Sequence, residues 1–340
     1  MCLTMGRTEA QAGGSPIAPA VERDSGRASR TAVLFPGMGR FDFASAGRFL
    51  VLDRYARARL AVADEVLGFS VLERFHDAGA DYSEYAQLAF LIASLAAADR
   101  AEDRFGMRPD VCAGASFGQK AAAAYAGSLD FPDVVRMTAE LARCEKEYFT
   151  TEHSDVVTHA VYRVPDEEFH ALLDEMRARG DWFEISGELD RGFYMVSLPE
   201  SRLEDFIRAV RDLGGYSMYT MRPPVHARAF GALRRKAEAE VFTKYRIKAP
   251  RLPVISDADG TVVESAEAMR TMLLDTFDRA IHWPAMVTSM AGLGVDTLHV
   301  TGADDMFHRL NCTARAFDVL TVNPKNALRP GPPKLRSRAA

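Results

Sequence analysis

The chain alternates short apolar runs with longer helical patterns. Residues 31–37 (TAVLFPG) are apolar and stopped by Pro-Gly, and a second apolar stretch at 110–116 (DVCAGAS) precedes an alanine-rich helical pattern. Such short continuous runs are typical of strands buried on both faces of a parallel sheet. Helical patterns at 41–68 and 82–104 lie between the two runs. The order predicts an α/β fold with functional groups at the carboxyl ends of its parallel strands.

The middle of the chain follows a different order. A strand pattern (VVTHAVYRV) is followed by a helix opened by Pro165, two strands around ELDRG, a helix opened by Pro199 and a final strand, YSMYTMR. This β-α-β-β-α-β order is typical of the ferredoxin-like unit. Because α/β alternation resumes afterwards, we predict an α/β-hydrolase-like large domain at 31–155 and 223–322 with an inserted ferredoxin-like small subdomain at 156–222.

The two ends of the chain lack apolar periodicity. Residues 1–30 are expected to form a disordered leader and residues 323–340 a basic flexible tail. The chain has no stretch of 18 apolar residues and no signal-peptide pattern, so we expect a cytoplasmic protein that does not contact membranes. The four cysteines are far apart with no CxxC pair, which favours reduced thiols.

Composition and charge narrow the class of partner. The chain is 48% hydrophobic and 26% charged with a net charge of −5, which is typical of a globular protein and lacks the basic excess of nucleic-acid binders. Residues 323–340 hold five basic residues and no acid, and residues 1–30 sum to +1, so residues 31–322 carry −11. An acidic partner would therefore have to be recognised by local basic groups.

One motif carries a candidate nucleophile. Residues 114–118 (GASFG) match G-x-S-x-G, with an apolar strand before them and an alanine-rich helix after them. In this context a sharp turn lifts the serine hydroxyl to the mouth of the sheet and points a helix N-terminus at any oxyanion formed there. The motif predicts Ser116 as a nucleophile.

A serine nucleophile needs a base, and the chain offers eight histidines. His226 follows Arg-Pro-Pro-Val where the chain leaves the small subdomain, a loop position of the kind where functional groups concentrate. On spacing alone, His226, His282 and His308 remain alternatives.

Several further sequence signatures accompany the G-x-S-x-G motif. They are 35–39 (FPGMG), Gln87, 126–129 (AGSL), 224–226 (PVH), 253–254 (PV) and 281–283 (IHW). In this order and spacing, over about residues 31–322, the chain resembles the malonyl-CoA:ACP transacylase-like acyltransferases. The resemblance implies that Ser116 accepts the acyl group, that His226 is general base and then acid, and that the backbone N–H groups of Met38 and Phe117 form an oxyanion hole.

The resemblance also implies which groups surround Ser116 and His226. A backbone carbonyl near His282 is expected to orient the His226 ring, and Gln87 is expected to line the acyl site. Neither a metal nor a dissociable cofactor is expected, because donor and acceptor carry phosphopantetheine.

The chain departs from the family where malonyl units are recognised. Family members that use malonyl groups carry an arginine 25 residues beyond the serine, and here that residue is Leu141. Arg143 would lie on the opposite helix face. Malonyl transfer is therefore disfavoured unless Arg222 or Arg228 reaches the carboxylate. Ala115 replaces the histidine that commonly precedes the serine. We expect Gln87, Leu141 and Ala115 to line a pocket rebuilt for another acyl group.

Among relatives without the arginine, the chain is most similar to the stand-alone acyltransferases of macrolactam polyketide pathways, the vicenistatin type. This similarity implies transfer of an aminoacyl or dipeptidyl starter from one acyl carrier protein to the loading-module acyl carrier protein of a polyketide synthase. The alternatives are a malonyl-CoA:ACP transacylase, a proofreading acyl-ACP hydrolase with the same Ser/His pair, and a non-catalytic carrier-protein docking module.

Carrier proteins are acidic along their recognition helix, so basic side chains are expected at the docking surface. The candidates are Arg163, Arg309 and Arg228. We expect the chain to act as a monomer. Three acids near the pocket, Glu184, Glu188 and Asp190, are interpreted either as partners for a substrate ammonium group or as a solvated hairpin turn.

Overall fold

A computed structural model describes residues 29–78, 82–304, 306–329, 331 and 333–339. The predicted disordered leader lies almost entirely outside these described residues. The large domain begins with β1 (Arg30–Phe35), α1 (Phe43–Leu52), α2 (Arg54–Leu67), α3 (Val71–Asp77), α4 (Glu84–Phe105), β2 (Val111–Gly114), α5 (Gly118–Tyr125) and α6 (Phe131–Thr151).

The inserted segment comes next, and the chain then returns to the large domain. The insert consists of β3 (Val156–Tyr162), α7 (Asp166–Ala178), β4 (Glu184–Asp190), β5 (Phe193–Pro199), α8 (Leu203–Asp212) and β6 (Tyr216–Met221). The return consists of α9 (Gly231–Glu240), β7 (Val254–Ile255), β8 (Val262–Val263), α10 (Ala266–Asp278), β9 (Ile281–His282), α11 (Trp283–Gly292), β10 (Val295–Thr301), α12 (Asn311–Ala316), β11 (Asp318–Val322) and β12 (Leu335–Arg336).

The large domain is built on a seven-stranded sheet of order β12-β11-β10-β1-β2-β7-β8. Strands β11, β10, β1, β2 and β7 are parallel, and the short edge strands β12 and β8 are antiparallel. Phe35 pairs with Gly114, so β1 and β2 end side by side. The loop after β1 and the serine turn after β2 therefore meet at one edge of the sheet, as predicted for an α/β fold.

The small domain is a second sheet of order β6-β3-β5-β4-β9. Its first four strands are antiparallel and carry α7 and α8, which confirms the predicted ferredoxin-like unit. Strand β9 of the returning chain joins this sheet parallel to β4, with Gly187 opposite Ile281. The two domains are thus tied together by hydrogen bonds close to the serine turn as well as by the chain itself.

Helix α4 is buried along most of its length. Residues 86–98 and Ala101 are all buried, and the segment is rich in alanine. A helix that is apolar all round is expected in the interior, where small side chains let neighbouring elements approach closely. Its neighbours are α2, α3, α5 and α6 together with the sheet edge at β10 and β11. No helix in the described part of the chain is both long and apolar enough to cross a membrane.

The helical pattern at 41–68 is broken into two helices. Asp53 interrupts it: its buried carboxylate accepts hydrogen bonds from the Tyr55 and Ala56 backbone N–H groups, 2.9 and 3.1 Å away, and caps α2. The same carboxylate pairs with Arg100 at 2.9 Å. A capping aspartate ends the first helix because it satisfies the free N–H groups of the next.

The C-terminal segment is not the flexible tail that the sequence predicts. Strand β12 pairs with β11, and the Arg338 backbone N–H donates to Asp318 at 2.7 Å. The Arg338 side chain pairs with Asp296 at 3.1 Å, and Ala327 is buried. Arg338 pairs with an acid and Arg336 donates to the His308 carbonyl. Backbone pairing, which leaves no hydrophobic pattern in the sequence, also holds the segment in place.

Candidate active site

Ser116 lies in a strained turn between β2 and α5. Its φ is +50°, a left-handed conformation that non-glycine residues rarely adopt. A Cβ on Gly114 would lie 2.5 Å from the Gly118 carbonyl oxygen, and one on Gly118 would lie 2.0 Å from the Phe35 carbonyl oxygen. The glycines of the motif are therefore required by close packing of backbone on backbone, and the turn they permit is the predicted nucleophile elbow.

A buried carboxylate supports this turn from below. Asp257 accepts the Ser116 backbone N–H at 2.5 Å and a hydrogen bond from the Gln119 side-chain amide. The Gln119 carbonyl oxygen in turn accepts the Thr276 hydroxyl at 3.1 Å. Burial raises the pKa of Asp257 to about 7, although both hydrogen bonds favour its charged form.

His226 meets the serine from the segment that leaves the small domain. Its Nε2 lies 2.7 Å from Ser116 Oγ. Its Nδ1 lies 3.0 Å from the Arg279 carbonyl oxygen, and its backbone N–H donates to the Phe277 carbonyl at 3.1 Å. Because a carbonyl can only accept, Nδ1 carries the proton and Nε2 is free to accept the serine proton.

The carbonyl that orients the ring is that of Arg279 and not one at His282. Phe277 in the last turn of α10 and Arg279 just after it contact His226, and the chain then joins the small sheet as β9. There the His282 backbone N–H donates to the Asp257 carbonyl at 2.6 Å. The carbonyl expected near His282 is therefore that of Arg279, three residues earlier in the chain.

The environment sets His226 to act as a base. The side chain is buried, and burial lowers its pKa to about 4, with the Arg279 carbonyl opposing that shift. The imidazole is therefore neutral at pH 7 and able to take a proton from Ser116.

The other two candidate histidines have structural roles. The His282 ring caps α11 by accepting the Ala285 backbone N–H at 3.1 Å, and its Nε2 lies 3.3 Å from Glu188. His308 Nδ1 lies 2.8 Å from Asp304. The geometry therefore places His226, and neither alternative, at the serine.

Two residues with unpaired backbone amides lie beside Ser116. Met38 lies in the loop after β1 and Phe117 directly precedes α5, and both residues line a small cavity of about 50 Å³ together with Ser116. Over the described ranges, neither backbone N–H has a hydrogen-bond acceptor. Free N–H groups at a helix N-terminus are suited to an oxyanion, as the resemblance implies for this pair.

A larger cavity of about 800 Å³ extends from Ser116 between the two domains. Its walls are mostly apolar, formed by Met38, Phe307 and Leu310 of the large domain and by Phe193, Met195 and Tyr219 of the small domain. A cavity of this size holds an extended ligand of many atoms. Ser116 thus lies between two cavities of different size.

Three polar side chains contribute to the lining of the small cavity. Gln87, Lys120 and Glu145 line it, and all three side chains are buried. Burial lowers the pKa of Lys120 and raises that of Glu145, while each group favours the charged form of the other. Of the predicted pocket residues, Gln87 lines this cavity beside Ser116.

The other two predicted pocket residues do not line either cavity. Ala115 is fully buried in the core below the elbow, and Leu141 packs into the core beneath α6. Arg143 points to the surface and pairs with Glu84 at 3.3 Å. Glu145 lies one helical turn beyond Leu141 on the same face of α6, since residues four apart share a helix face, and its side chain lines the small cavity.

Among the predicted docking residues, Arg309 lies at the large cavity, where its side chain is exposed. Arg163 and Arg228 are exposed but line neither cavity, and the Arg163 guanidinium lies over the Tyr162 and Tyr216 rings. Arg40 also lines the large cavity and is exposed. The sequence gives no sign of Arg40 beyond its place just after the FPGMG motif.

The three acids predicted near the pocket make different contacts. Glu184 accepts the backbone N–H groups of Arg228 and Ala229, at 2.6 and 3.0 Å, and Glu188 lies beside His282. Asp190 is buried, lines the large cavity and accepts the Asn311 backbone N–H at 2.5 Å. Glu184 and Asp190 therefore bind backbone N–H groups of neighbouring segments, while Glu188 is partly exposed.

Sequence reasoning missed Asp257, Lys120, Glu145 and the Arg279 carbonyl. A signal existed for Lys120, which is a lone charge within the alanine-rich segment after Ser116. No signal marks Asp257 or Arg279, because they meet the serine and the histidine only through the tertiary fold.

A serine at a strand-to-helix elbow, a neutral histidine in contact with it and two free amides beside it form the arrangement of enzymes that make acyl-serine esters. Comparison with known proteins agrees with this class. The family model described as "VinK acyltransferase small domain" matches residues 160–221. The malonyl CoA-acyl carrier protein transacylase of Escherichia coli strain K12 is 24% identical over 243 residues, which cover 71% of this chain and 76% of the relative.

Solved structures agree in fold. A structure of a malonyl-transacylase with a type II polyketide synthase acyl-carrier protein matches with a TM-score of 0.75 and 21% identity over 87% of this chain and 96% of that one. The malonyl-CoA:acyl carrier protein transacylase of Xanthomonas oryzae pv. oryzae matches with a TM-score of 0.76 and 19% identity, over 88% and 96%. Together the matches show that this chain is similar to malonyl-CoA:acyl carrier protein transacylases and shares their fold.

Proposed function

We propose that the protein is an acyltransferase that moves an acyl group between acyl carrier proteins through an ester on Ser116. The observation that carries the proposal is the 2.7 Å contact between Ser116 Oγ and His226 Nε2 at an elbow flanked by two free amides. We further propose that it works as a cytoplasmic monomer without a metal or dissociable cofactor.

In the first half-reaction, His226 Nε2 takes the hydroxyl proton as Ser116 Oγ attacks the thioester carbonyl of the donor. The oxyanion is stabilised by the Met38 and Phe117 N–H groups. Collapse of the tetrahedral intermediate breaks the carbon–sulfur bond, and the leaving thiolate takes the proton from His226. The products are an acyl-serine ester and a free carrier-protein thiol.

In the second half-reaction, the thiol of the acceptor carrier protein gives its proton to His226 and attacks the ester carbonyl. Ser116 Oγ leaves and recovers the proton. The 800 Å³ cavity that reaches Ser116 from between the domains is suited to the long, flexible phosphopantetheine arm of either partner.

We propose an aminoacyl or dipeptidyl starter as the acyl group, delivered to the loading-module carrier protein of a polyketide synthase. Support comes from the small-domain match to a VinK acyltransferase and from Leu141, which leaves no arginine on the helix position where malonyl would be bound.

A second candidate, malonyl transfer, is favoured by the curated relatives, which are malonyl transacylases. Against it, Arg222 pairs with Glu200 and lines neither cavity, and Arg228 also lies outside both. Incubation with malonyl-CoA decides between the two: labelling of Ser116 as fast as with an aminoacyl or dipeptidyl carrier protein would favour the malonyl assignment.

The proposal is tested by intact-protein mass spectrometry after incubation with an acyl-loaded carrier protein. The wild-type chain should gain the acyl mass, and Ser116→Ala should gain none. Ser128→Ala is the matched control, because the buried Ser128 hydroxyl has no hydrogen-bond partner in the described structure. An adduct that persists in Ser116→Ala would overturn the assignment of the nucleophile.

A further inference from the structure

The small cavity beside Ser116 holds two charged side chains that the mechanism above does not use. Lys120 lies on the first turn of α5 and is 6% exposed, and Glu145 lies on α6 and is 7% exposed. Both line the 50 Å³ cavity together with Ser116. Charged side chains are seldom buried this deeply, and here they border the nucleophile.

The Gln87 side chain is a hydrogen-bond partner of Glu145, and part of the hydrogen-bonding capacity of the cluster is still unused. In the described structure Lys120 forms no direct ion pair, and its ammonium lies over the Phe117 ring, 4.3 Å from the centroid. The Gln87 carbonyl oxygen is buried without a hydrogen-bond partner, while the Gln87 amide donates to the Tyr82 carbonyl at 3.2 Å. Unpaired buried donors and acceptors are costly, so a group that satisfies them on binding gains affinity.

The charges of Lys120 and Glu145 restrict which chemical group can bind in the small cavity. Lys120 and Glu145 already balance each other, so a bound carboxylate or ammonium would add an uncompensated charge to a buried site. An uncharged amide brings both a carbonyl acceptor for Lys120 and an N–H donor for Glu145 or Gln87. A purely apolar group would leave the Gln87 carbonyl oxygen without a partner.

We propose that Lys120, Glu145 and Gln87 form an acyl-specificity subsite that selects acyl groups with an uncharged amide close to the thioester carbonyl. The proposal rests on the proposed function, because it requires that Ser116 be acylated. A cavity of 50 Å³ has room for roughly three or four heavy atoms, enough for an amide next to the reacting carbonyl. An aminoacyl chain would then enter with its amine already acylated, as in a dipeptidyl unit, rather than free.

The test compares four pantetheine thioesters of similar size: malonyl, with a carboxylate; malonamyl, with an amide; β-alanyl, with an ammonium; and butyryl, which is apolar. The rate of Ser116 acylation is followed by intact mass. The expected result is that malonamyl acylates the wild-type protein at least tenfold faster than each of the other three. Equal rates for all four, or a preference for malonyl, β-alanyl or butyryl, would overturn the proposal.

Two variants should reverse the charge preference. Glu145→Gln leaves the Lys120 ammonium without its counter-charge, so malonyl should gain at least tenfold relative to malonamyl. Lys120→Met leaves Glu145 as the only charge, so β-alanyl should gain by a similar factor. A merely structural pair would slow all four thioesters together, and that outcome would also overturn the proposal.

Removing one member of a buried pair can also unfold a protein, so a third variant keeps the test decisive. Lys120→Met/Glu145→Leu replaces the pair by apolar side chains of similar size and retains the packing. This variant should prefer butyryl over malonamyl. If it instead keeps the wild-type order, the pair does not select the acyl group.

Failure of the subsite and failure of the proposed function give different results. If Ser116 is acylated by a loaded carrier protein but all four thioesters react equally, the subsite is wrong and the acyltransferase stands. If no thioester and no loaded carrier protein acylates Ser116, the proposed function is wrong and the subsite proposal falls with it.

Discussion

At the scale of single residues, the site depends on two backbone conformations that most side chains avoid. Ser116 has a φ of +50° and His226 a φ of +65°. Each is held by partners distant in sequence: Asp257 binds the Ser116 N–H, and Phe277 and Arg279 bind the His226 backbone and ring. Strain of this kind persists only where surrounding structure fixes it, which is typical of functional sites.

The pH dependence of acylation should report the buried histidine. Its pKa is lowered to about 4, so the neutral base is present throughout the range above about pH 5. We expect kcat/KM for Ser116 acylation to be nearly constant from about pH 5.5 to 8 and to fall only as the pH approaches 4. An ordinary histidine would lose half its activity near pH 6.5.

The profile is measured by thiol release from a stable thioester, corrected for its spontaneous hydrolysis at each pH. Because Asp257 titrates near pH 7, the same profile is recorded for Asp257→Asn, which removes that second titration. A midpoint near 6.5 in both proteins would contradict the assigned state of His226.

Asp257 should also make stability depend on pH. Its carboxyl has a pKa of about 7 in the fold against 3.8 for an ordinary aspartic acid, so the folded protein binds the extra proton between these values. Stability from this group is therefore present at low pH and is lost as the pH rises through 7, by at most about 4 kcal/mol. Asp257→Asn should remove this loss.

The Asp257→Asn side chain fits if Gln119 rotates its amide, since the Thr276 hydroxyl can accept as well as donate. Urea unfolding at pH 5 and pH 8 gives the comparison. The variant should show the smaller difference between the two pH values, and equal differences in the two proteins would refute the prediction.

At the scale of elements, the site is made by close contact between β1, β2 and α5. The Phe35 carbonyl lies where a Cβ on Gly118 would stand, so strand and helix touch through bare backbone. This contact brings the loop that contains Met38 next to the serine turn. The positions of the Met38 and Phe117 N–H groups therefore depend on the absence of a side chain at Gly118.

Gly118→Ala should disrupt this contact. Its methyl carbon would lie 2.0 Å from a backbone oxygen that cannot move without shifting β1, so we expect a loss of about 3 kcal/mol or more in the free energy of unfolding, together with loss of acylation. Gly292→Ala, at the end of α11 with open space around it, is the matched control and should leave stability unchanged or slightly raised. Similar denaturation midpoints for the two variants would argue against the close contact.

Local patterns account for what could be predicted at this scale. Consecutive residues encode the apolar runs of β1 and β2, the G-x-S-x-G turn and the β-α-β-β-α-β order. The fold and Ser116 could therefore be predicted from the sequence. The choice of His226 over His282 and His308, the Arg279 carbonyl and the Lys120–Glu145 pair depend on which distant segments meet. Strand β12 was missed because edge pairing uses backbone groups and leaves no apolar pattern.

At the scale of the whole molecule, charge limits how a partner is recognised. Residues 31–322 carry −11, so an acidic carrier protein is repelled overall and must be held by local basic groups. Arg309 and Arg40 are exposed at the large cavity that leads to Ser116. The basic residues of the C-terminal segment are in part committed to structure, since Arg338 pairs with Asp296.

Arg309→Glu should weaken use of a carrier-protein donor. We expect its KM to rise at least about fivefold, and the wild-type KM to rise with added salt, because exposed charge pairs are screened. Arg57→Glu, on the exposed face of α2, makes the same change in net charge away from the cavity and should alter KM less than about twofold. Equal effects of the two substitutions would show that docking does not use Arg309.

The central claim is that Ser116 holds the acyl group on its way between two carrier proteins. The most direct measurement isolates the acylated protein, maps the adduct by peptide mass spectrometry and then adds an unloaded acceptor carrier protein. The account predicts an ester on Ser116 that disappears as the acceptor gains the same acyl mass, one for one. An adduct on another residue, or an ester on Ser116 that the acceptor cannot discharge, would contradict it.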